Sequence, residues 1–425
     1  MKIGTLGRQN RELLRERVLN FPLFRGAEYR AMHADLQQVE PLQHYVHHGL
    51  WERRPFIRSQ KIAGALASIA DDPAPDADIL APLRLGAVIK RAHELDVGIY
   101  VSSQGNFFMS EIAEMVALGL RRSGVKATLL SENASIEGRP RHCIYFAPHE
   151  FFELGRGPRW ATEDVLSTGF MFSTEQAQTP WFRTALPYLL CARGTIDLNY
   201  QTYRLFRESG IPALFYFPGY PAEGVAEAPL PDHPLARSLP RAARSYDTSS
   251  DVWAERPLDL VFLGAESPIR EEFLARNAAY LASLSTFIYY VRLGGFRTGP
   301  LVPTAQDPRP ALNRYICRRA KIVLNLHQGE VGYFEWHRMV MQGMWHRALV
   351  VSDRCLPHPV FKAGVHYLEE TPRRIPKLID WLLTTSEGRL AAEKVRNEAT
   401  AVLVEQASMR RMSLRLAAFL LDQAL

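Results

Sequence analysis

Two doubly wound α/β domains, each with its own core and facing the other across a cleft, are the fold this 425-residue sequence predicts. Three observations carry the prediction. Short apolar runs of strand length alternate with amphipathic stretches of helix length, the texture of βαβ units and a parallel sheet. The alternation starts twice, near Val97 and afresh at LDLVFLG from Leu258. The length exceeds the roughly 250–300 residues at which a single core stops growing, so two domains are the default.

The first stretch, residues 1–70, is polar and helical in texture and contains PLQHYVHHGLWERRPF, Pro41 to Phe56. His44, His47 and His48 lie at helical spacing there, but no cysteine or nearby carboxylate completes a metal site. Residues 71–96 read as a linker and lead-in, because DDPAPDADILAP is acidic and rich in Pro and Ala. A first α/β unit follows: a strand at Val97–Ser102, the loop SQGNFF, a helix from Met109 to Ser123 and a strand from Lys126 to Ser131. Gly105 and Asn106 stand where the backbone turns, yet no GxGxxG is present. A strand at Cys143–Ala147 delivers Pro148, His149 and Glu150 to a sheet edge. STEQAQTPWF (Ser173 to Phe182) and a strand at Ala213–Phe217 complete a domain over 97–220.

The tract 221–257, rich in Pro, Ala and Ser, is the expected interdomain connection. The second domain, 258–405, opens with a strand at Leu258–Leu263 and a helix from about Pro268, and a strand follows at Phe287–Val291. Its most informative part is Lys321 to Asp353. An apolar strand, Ile322 to Leu326, leads through polar Asn325 and His327 into a loop with Gly329 and Gly332. A helix opening with Glu335 and Arg338 comes next, then a second apolar strand, Leu349 to Val351. A further loop and strand over Leu356 to Glu370 and a helical pattern from Ile375 follow. The last segment, 406–425, is a basic amphipathic helix that either packs onto a domain or touches a membrane surface.

Composition narrows the class of function. Hydrophobic residues at 47% and charged residues at 23% are those of a soluble globular protein. A net charge of +6 comes without any long Lys/Arg run or interleaved aromatics, which argues against a nucleic-acid groove. Cys143, Cys191, Cys317 and Cys355 are widely spaced and form no CxxC pair, so neither a zinc site nor a disulfide framework is expected, and a reducing compartment is. With no apolar signal core and no run near the roughly 20 apolar residues of a membrane span, the expectation is a cytoplasmic protein, with peripheral contact at the inner face of the membrane left open.

Ligands of open α/β sheets bind beyond the carboxyl ends of the strands, which is where Asn325, His327, Glu335 and Arg338 fall. A carboxylate at such a helix start repels phosphate but accepts hydrogen bonds from sugar or ribose hydroxyls, while Arg338 offers charge to a diphosphate. Arg270, near the start of the helix after the second domain's first strand, is placed to meet the same group. His327 is read as a phosphate contact or a structural residue. On the first domain His149 titrates near neutrality and suits a general base, with Glu175 as the second candidate. Met339, Met341, Met344, Trp336 and Trp345 read as core. No DxD pair in a fitting loop points to a catalytic metal. Glu335 and Arg338 are expected at a solvated junction, where truncation is cheap for stability.

The series FLG with Arg270, KIVLNLH, FEWHR, LVVSD and AGVHY resembles the donor side of glycosyltransferases with the GT-B fold, of the group 1 kind. The segment Pro41–Phe56 resembles a module of the form HYxxxGxxExRxP found ahead of such domains in bacterial surface-polysaccharide proteins. The resemblance implies a nucleotide-sugar substrate, no further cofactor, a glycan or lipid-linked glycan acceptor held by the first domain, and Glu335 on donor hydroxyls. Where the family often has a second glutamate in this helix, the chain reads MVMQG, with Gln342 the nearest polar residue. Two other readings fit the same residues: a sugar-nucleotide epimerase of this fold, and a catalytically silent relative acting as a binding or scaffold protein. Donor base, acceptor, stereochemistry and oligomeric state are not encoded in any of these motifs.

Overall fold

A computed structural model describes residues 6–70, 85–227, 229–249, 251–291 and 308–421. The chain divides into two compact units, one running to Gly219 and joined by the returning helix Met409–Leu420, the other from Tyr220 to Ser408.

The first unit is built on six parallel strands: β1 (Asp96–Val101), β2 (Lys126–Ser131), β3 (His142–Phe146), β4 (Phe170–Ser173), β5 (Gly194–Asp197) and β6 (Ala213–Phe215). Their order is β2-β1-β3-β4-β5-β6. Every residue of β3, β4 and β5 is buried, as a parallel sheet covered on both faces requires. β1, β2 and β3 lie within one residue of their expected positions, and β6 ends two residues early. β4 and β5 are strands that the periodicity did not mark. Among the N-terminal helices, Tyr29 hydroxyl and His44 Nδ1 lie 3.1 Å apart, and Phe24, Tyr29, Tyr45 and Phe56 form one aromatic cluster. In this chain Pro55 directly follows Arg54, one residue closer than in the HYxxxGxxExRxP form. The expected linker lies for the most part outside the described residues, which resume at the helix Leu85–Arg91.

The second unit carries five parallel strands: β7 (Leu258–Ala265), β8 (Thr286–Val291), β9 (Ala320–Asn325), β10 (Leu349–Ser352) and β11 (Leu368–Glu369), in the order β11-β10-β9-β7-β8. Alternate residues of one strand feed two separate cores. Leu260, Phe262, Ile322 and Leu324 pack with Phe273, Ile375 and Ile379 on one face. Val261, Leu263 and Val323 pack with Ile316, Ala236 and Ala243 on the other. The tract 221–257, expected as a connection, therefore supplies part of a core layer. Its short helices Pro234–Arg237 and Arg241–Ser245 use alanines to approach the sheet, and Trp253 is 1% exposed.

Both sheets reverse their direction of winding beside the first strand, between β1 and β3 and between β7 and β9. Such a switch point leaves a crevice at the carboxyl ends of the strands, the usual ligand position in this fold class. Among the described residues no helix is long and apolar enough to cross a membrane.

Candidate functional site

At the first unit's switch point the chain leaves β3 through Ala147, whose φ of +46° is the left-handed region that a side chain disfavours. Strain of this kind costs about 1–3 kcal/mol and persists only where the surroundings impose it. The short turn Pro148–Phe151 follows, with both His149 and Glu150 largely buried. Glu150 Oε2 accepts a hydrogen bond of 2.9 Å from the Asn106 amide, so the loop after β1 is tied to the end of β3. Gly105 makes that approach feasible: a Cβ there would lie 2.3 Å from Glu150 Oε2. His149 Nε2 stands 3.5 Å from Glu175 Oε1 and 3.9 Å from Glu150 Oε1, which gathers one imidazole and two carboxyl groups.

The electrostatics reverse the order of merit read from the sequence. Burial pushes the His149 imidazole down to about 3, so it is neutral and weakly basic at physiological pH. Burial lifts the Glu150 carboxyl to about 7, only partly offset by the Asn106 amide. A carboxyl group poised there is suited to proton exchange near neutrality, whereas burial weakens the basicity of His149, the expected base. Asp197, at the end of β5, is fully buried and held well above the carboxylate range by desolvation. His149 and Glu175 thus lie together, and the neighbouring Glu150, which sequence reasoning did not single out, is the carboxyl that burial brings close to neutrality.

The second unit's switch point gathers two guanidinium groups. Ser267 caps the helix Pro268–Arg276, its hydroxyl accepting from the Arg270 amide, and Arg270 turns in beneath the strands. Arg270 is 1% exposed and donates from Nε to Leu326 O at 2.7 Å and from Nη1 to Ala265 O at 2.9 Å. Arg338 donates to Asn325 Oδ1 at 3.0 Å and to the same Leu326 carbonyl at 3.4 Å, and pairs with Glu335 Oε1 at 3.1 Å. Both guanidinium groups lie over the Phe262 ring, 5.7 and 5.8 Å from its centroid. Burial, and then the charge of Arg338, bring Arg270 down to about 10, which still leaves it charged at neutrality.

Two cations with one carboxylate between them leave net positive charge at the end of β7 and β9. Glu335 Oε2 is buried without a hydrogen-bond partner, an acceptor suited to a ligand hydroxyl. Glu335 precedes the helical turns, its carbonyl accepting from the Met339 amide at 2.9 Å, and His337–Gly343 winds as a wide π-type helix. Such turns recur at functional sites. One expectation fails: Arg338 is 8% exposed and bonded to Asn325 and Leu326 at the end of β9, so its side chain is not solvated and its truncation should cost stability.

Asn325 and His327 are positioning groups. Asn325, fully buried, donates to Ser352 Oγ at 2.9 Å and holds Arg338 with its other atom. His327 is 1% exposed, with Nδ1 2.6 Å from Asp353 Oδ1 and Nε2 2.5 Å from Tyr333 O, which leaves neither nitrogen for a phosphate. Burial opposes the imidazolium, but the bond to Asp353, aided by the Cys355 thiol, outweighs it and raises His327 to about 10 from an ordinary 6.5. The sign follows from linkage: this contribution is complete below pH 6.5 and is lost as pH rises through about 10. The melting temperature should fall across that window, and His327→Gln should flatten the slope. An identical slope in the variant would assign it to other groups.

No family model matches the chain, and no curated protein matches it in sequence. Among solved structures it is similar to Anabaena HepE in complex with UDP and glucose, at 10% identity and a TM-score of 0.47 over 77% of this chain and 100% of that one. A glycosyltransferase from Rickettsia africae is similar at 11% identity and a TM-score of 0.47, over 78% and 99% of the two chains. The apo form of the lipopolysaccharide outer core galactosyltransferase WaaB gives 10% and 0.40, over 76% and 99%.

Proposed function

We propose that this chain is a GT-B type glycosyltransferase that moves a sugar from a nucleotide-sugar donor, held by the second unit, to a glycan or lipid-linked glycan acceptor, held by the first. The observation that carries the reading is the pair of guanidinium groups sharing the Leu326 carbonyl beside the unpartnered Glu335 oxygen, at the switch point of a doubly wound sheet. Arg270 and Arg338 supply the positive charge that a departing diphosphate needs, without calling on a metal ion. Glu335 accepts hydroxyls of the donor sugar or ribose, and Gln342, where the resemblance has a second glutamate, can bond a hydroxyl without a carboxylate's charge. On the first unit Glu150 takes the proton of the attacking hydroxyl, with His149 and Glu175 setting its surroundings. Surface-polysaccharide synthesis, at the inner face of the membrane, is the setting suggested by the resemblance of the segment Pro41–Phe56.

A thermal-shift panel of UDP, GDP, TDP, ADP and CMP compounds tests the donor half. A nucleotide at about 100 times its dissociation constant should add roughly 2.7 kcal/mol of stability. A flat response across the panel rejects the reading. With the best ligand, Glu335→Gln should bind about tenfold more weakly, the loss of one charge-assisted hydrogen bond, measured at a temperature where the variant is fully folded because the substitution also breaks the 3.1 Å ion pair with Arg338. Equal affinity would remove Glu335 from the site.

A further inference from the structure

An exposed indole stands beside the carboxyl groups of the first unit. Trp181 begins the helix Pro180–Cys191, is 40% exposed, and has its ring 6.0 Å from that of His149 at an angle of 40°. The same imidazole is 3.5 Å from Glu175 and 3.9 Å from Glu150, so an aromatic face and two carboxyl groups meet around one residue. A single exposed apolar side chain is ordinary; one at the mouth of a switch point beside buried carboxyls is not scattered surface. A second observation comes from β4 and β5. Thr174 Oγ1 is buried without a hydrogen-bond partner, on a residue 9% exposed, and the fully buried Asp197 carboxyl at the end of the neighbouring strand is held by the Asn199 amide at 2.7 Å and by the Ser173 hydroxyl. A buried polar atom in that condition suits a hydrogen-bonding ligand or an ordered water.

The chemistry selects among ligands. Carboxyl oxygens repel an anion. Burial disfavours the charged form of both Asp197 and Glu150, so the edge lacks the full negative charge that would draw a cation. A pyranose ring matches what remains, because it has one apolar C–H face and a rim of hydroxyls that both donate and accept. We infer that Trp181, Glu150 and Glu175 form a subsite for a neutral hexopyranose, with the indole stacked on the sugar's apolar face and the carboxyl groups bonding its hydroxyls. The sugar's role as acceptor rests on the transferase reading; its binding does not.

Saturation-transfer NMR on the full chain provides the test, with methyl glucoside, methyl galactoside, methyl mannoside and N-acetylglucosamine as probes at millimolar concentration. Transfer to ring C–H protons of at least one probe is expected, weakened about tenfold in Trp181→Ala and largely kept in Trp181→Phe. Glu175→Gln should weaken it severalfold. Absence of transfer from all four probes overturns the subsite, as does equal transfer to a folded Trp181→Ala. Nucleotide binding measured on the same preparation separates the two conclusions. Sugars bound without any nucleotide response would leave the subsite standing and reject the transferase. Nucleotides bound with no sugar signal would do the reverse.

Discussion

Glu150→Gln should lower turnover by about a hundred- to ten-thousandfold, the usual cost of removing a general base. The rate of the unmodified protein should rise with pH through about 7, where burial has placed this carboxyl, and the variant should lose that limb. Stability should move the other way. A carboxyl raised from 4.5 to about 7 penalises the folded state once it ionises, so the cost is absent below about pH 4.5 and complete above about 7. The glutamine still accepts from the Asn106 amide but carries no charge. It should therefore melt higher than the original at pH 8 and together with it at pH 4.5. Unchanged turnover, or a pH limb that survives, would move the base to Glu175.

Arg270→Ala should have the largest effect on the second unit. Two charge-assisted donations at the ends of the switch-point strands disappear together: Ala265 O loses its donor from Arg270, and Leu326 O keeps only the 3.4 Å donation from Arg338. The cost is about 2–4 kcal/mol, a large part of a domain's typical 5–15. Arg270→Lys keeps the charge but cannot reach two carbonyls in fork geometry, and should recover only part of the loss. Nucleotide affinity should fall further than stability explains: at temperatures where Arg270→Lys is fully folded, calorimetric titration should show at least tenfold weaker binding. Full affinity in the folded lysine variant would make Arg270 a purely structural clamp between β7 and β9.

These two residues show how far a sequence can be read. β7, β9 and β10 are legible because their apolar runs are bounded by polar or glycine-containing turns. β4 and β5 are four residues each, buried on both faces, and no periodicity distinguishes such strands from a loop. Arg270 and Arg338 are legible as positions beyond strand ends, while their burial is not, since it depends on Phe262 and Leu326 arriving from other strands. Glu150 was visible beside His149. Its promotion arises from loss of water, against the Asn106 amide that partly opposes it, and the loop that covers it, Gly105 and Asn106, stands about 45 residues earlier in the chain, so none of this is written locally. The tract 221–257 misleads for a related reason: alanines read as linker composition are there because a helix must lie close to a sheet.

The helix Met409–Leu420 has a consequence for how the protein is made. It packs on the helix Phe107–Arg122, where a Cβ on Gly119 would sit 2.2 Å from Ser413 Oγ and Met409 Sδ accepts from Arg122. That covering piece follows the whole second unit in the sequence. On the ribosome, where domains generally form in the order of synthesis, the unit begun first is the one finished last. It waits with part of its apolar surface bare until the other has been translated.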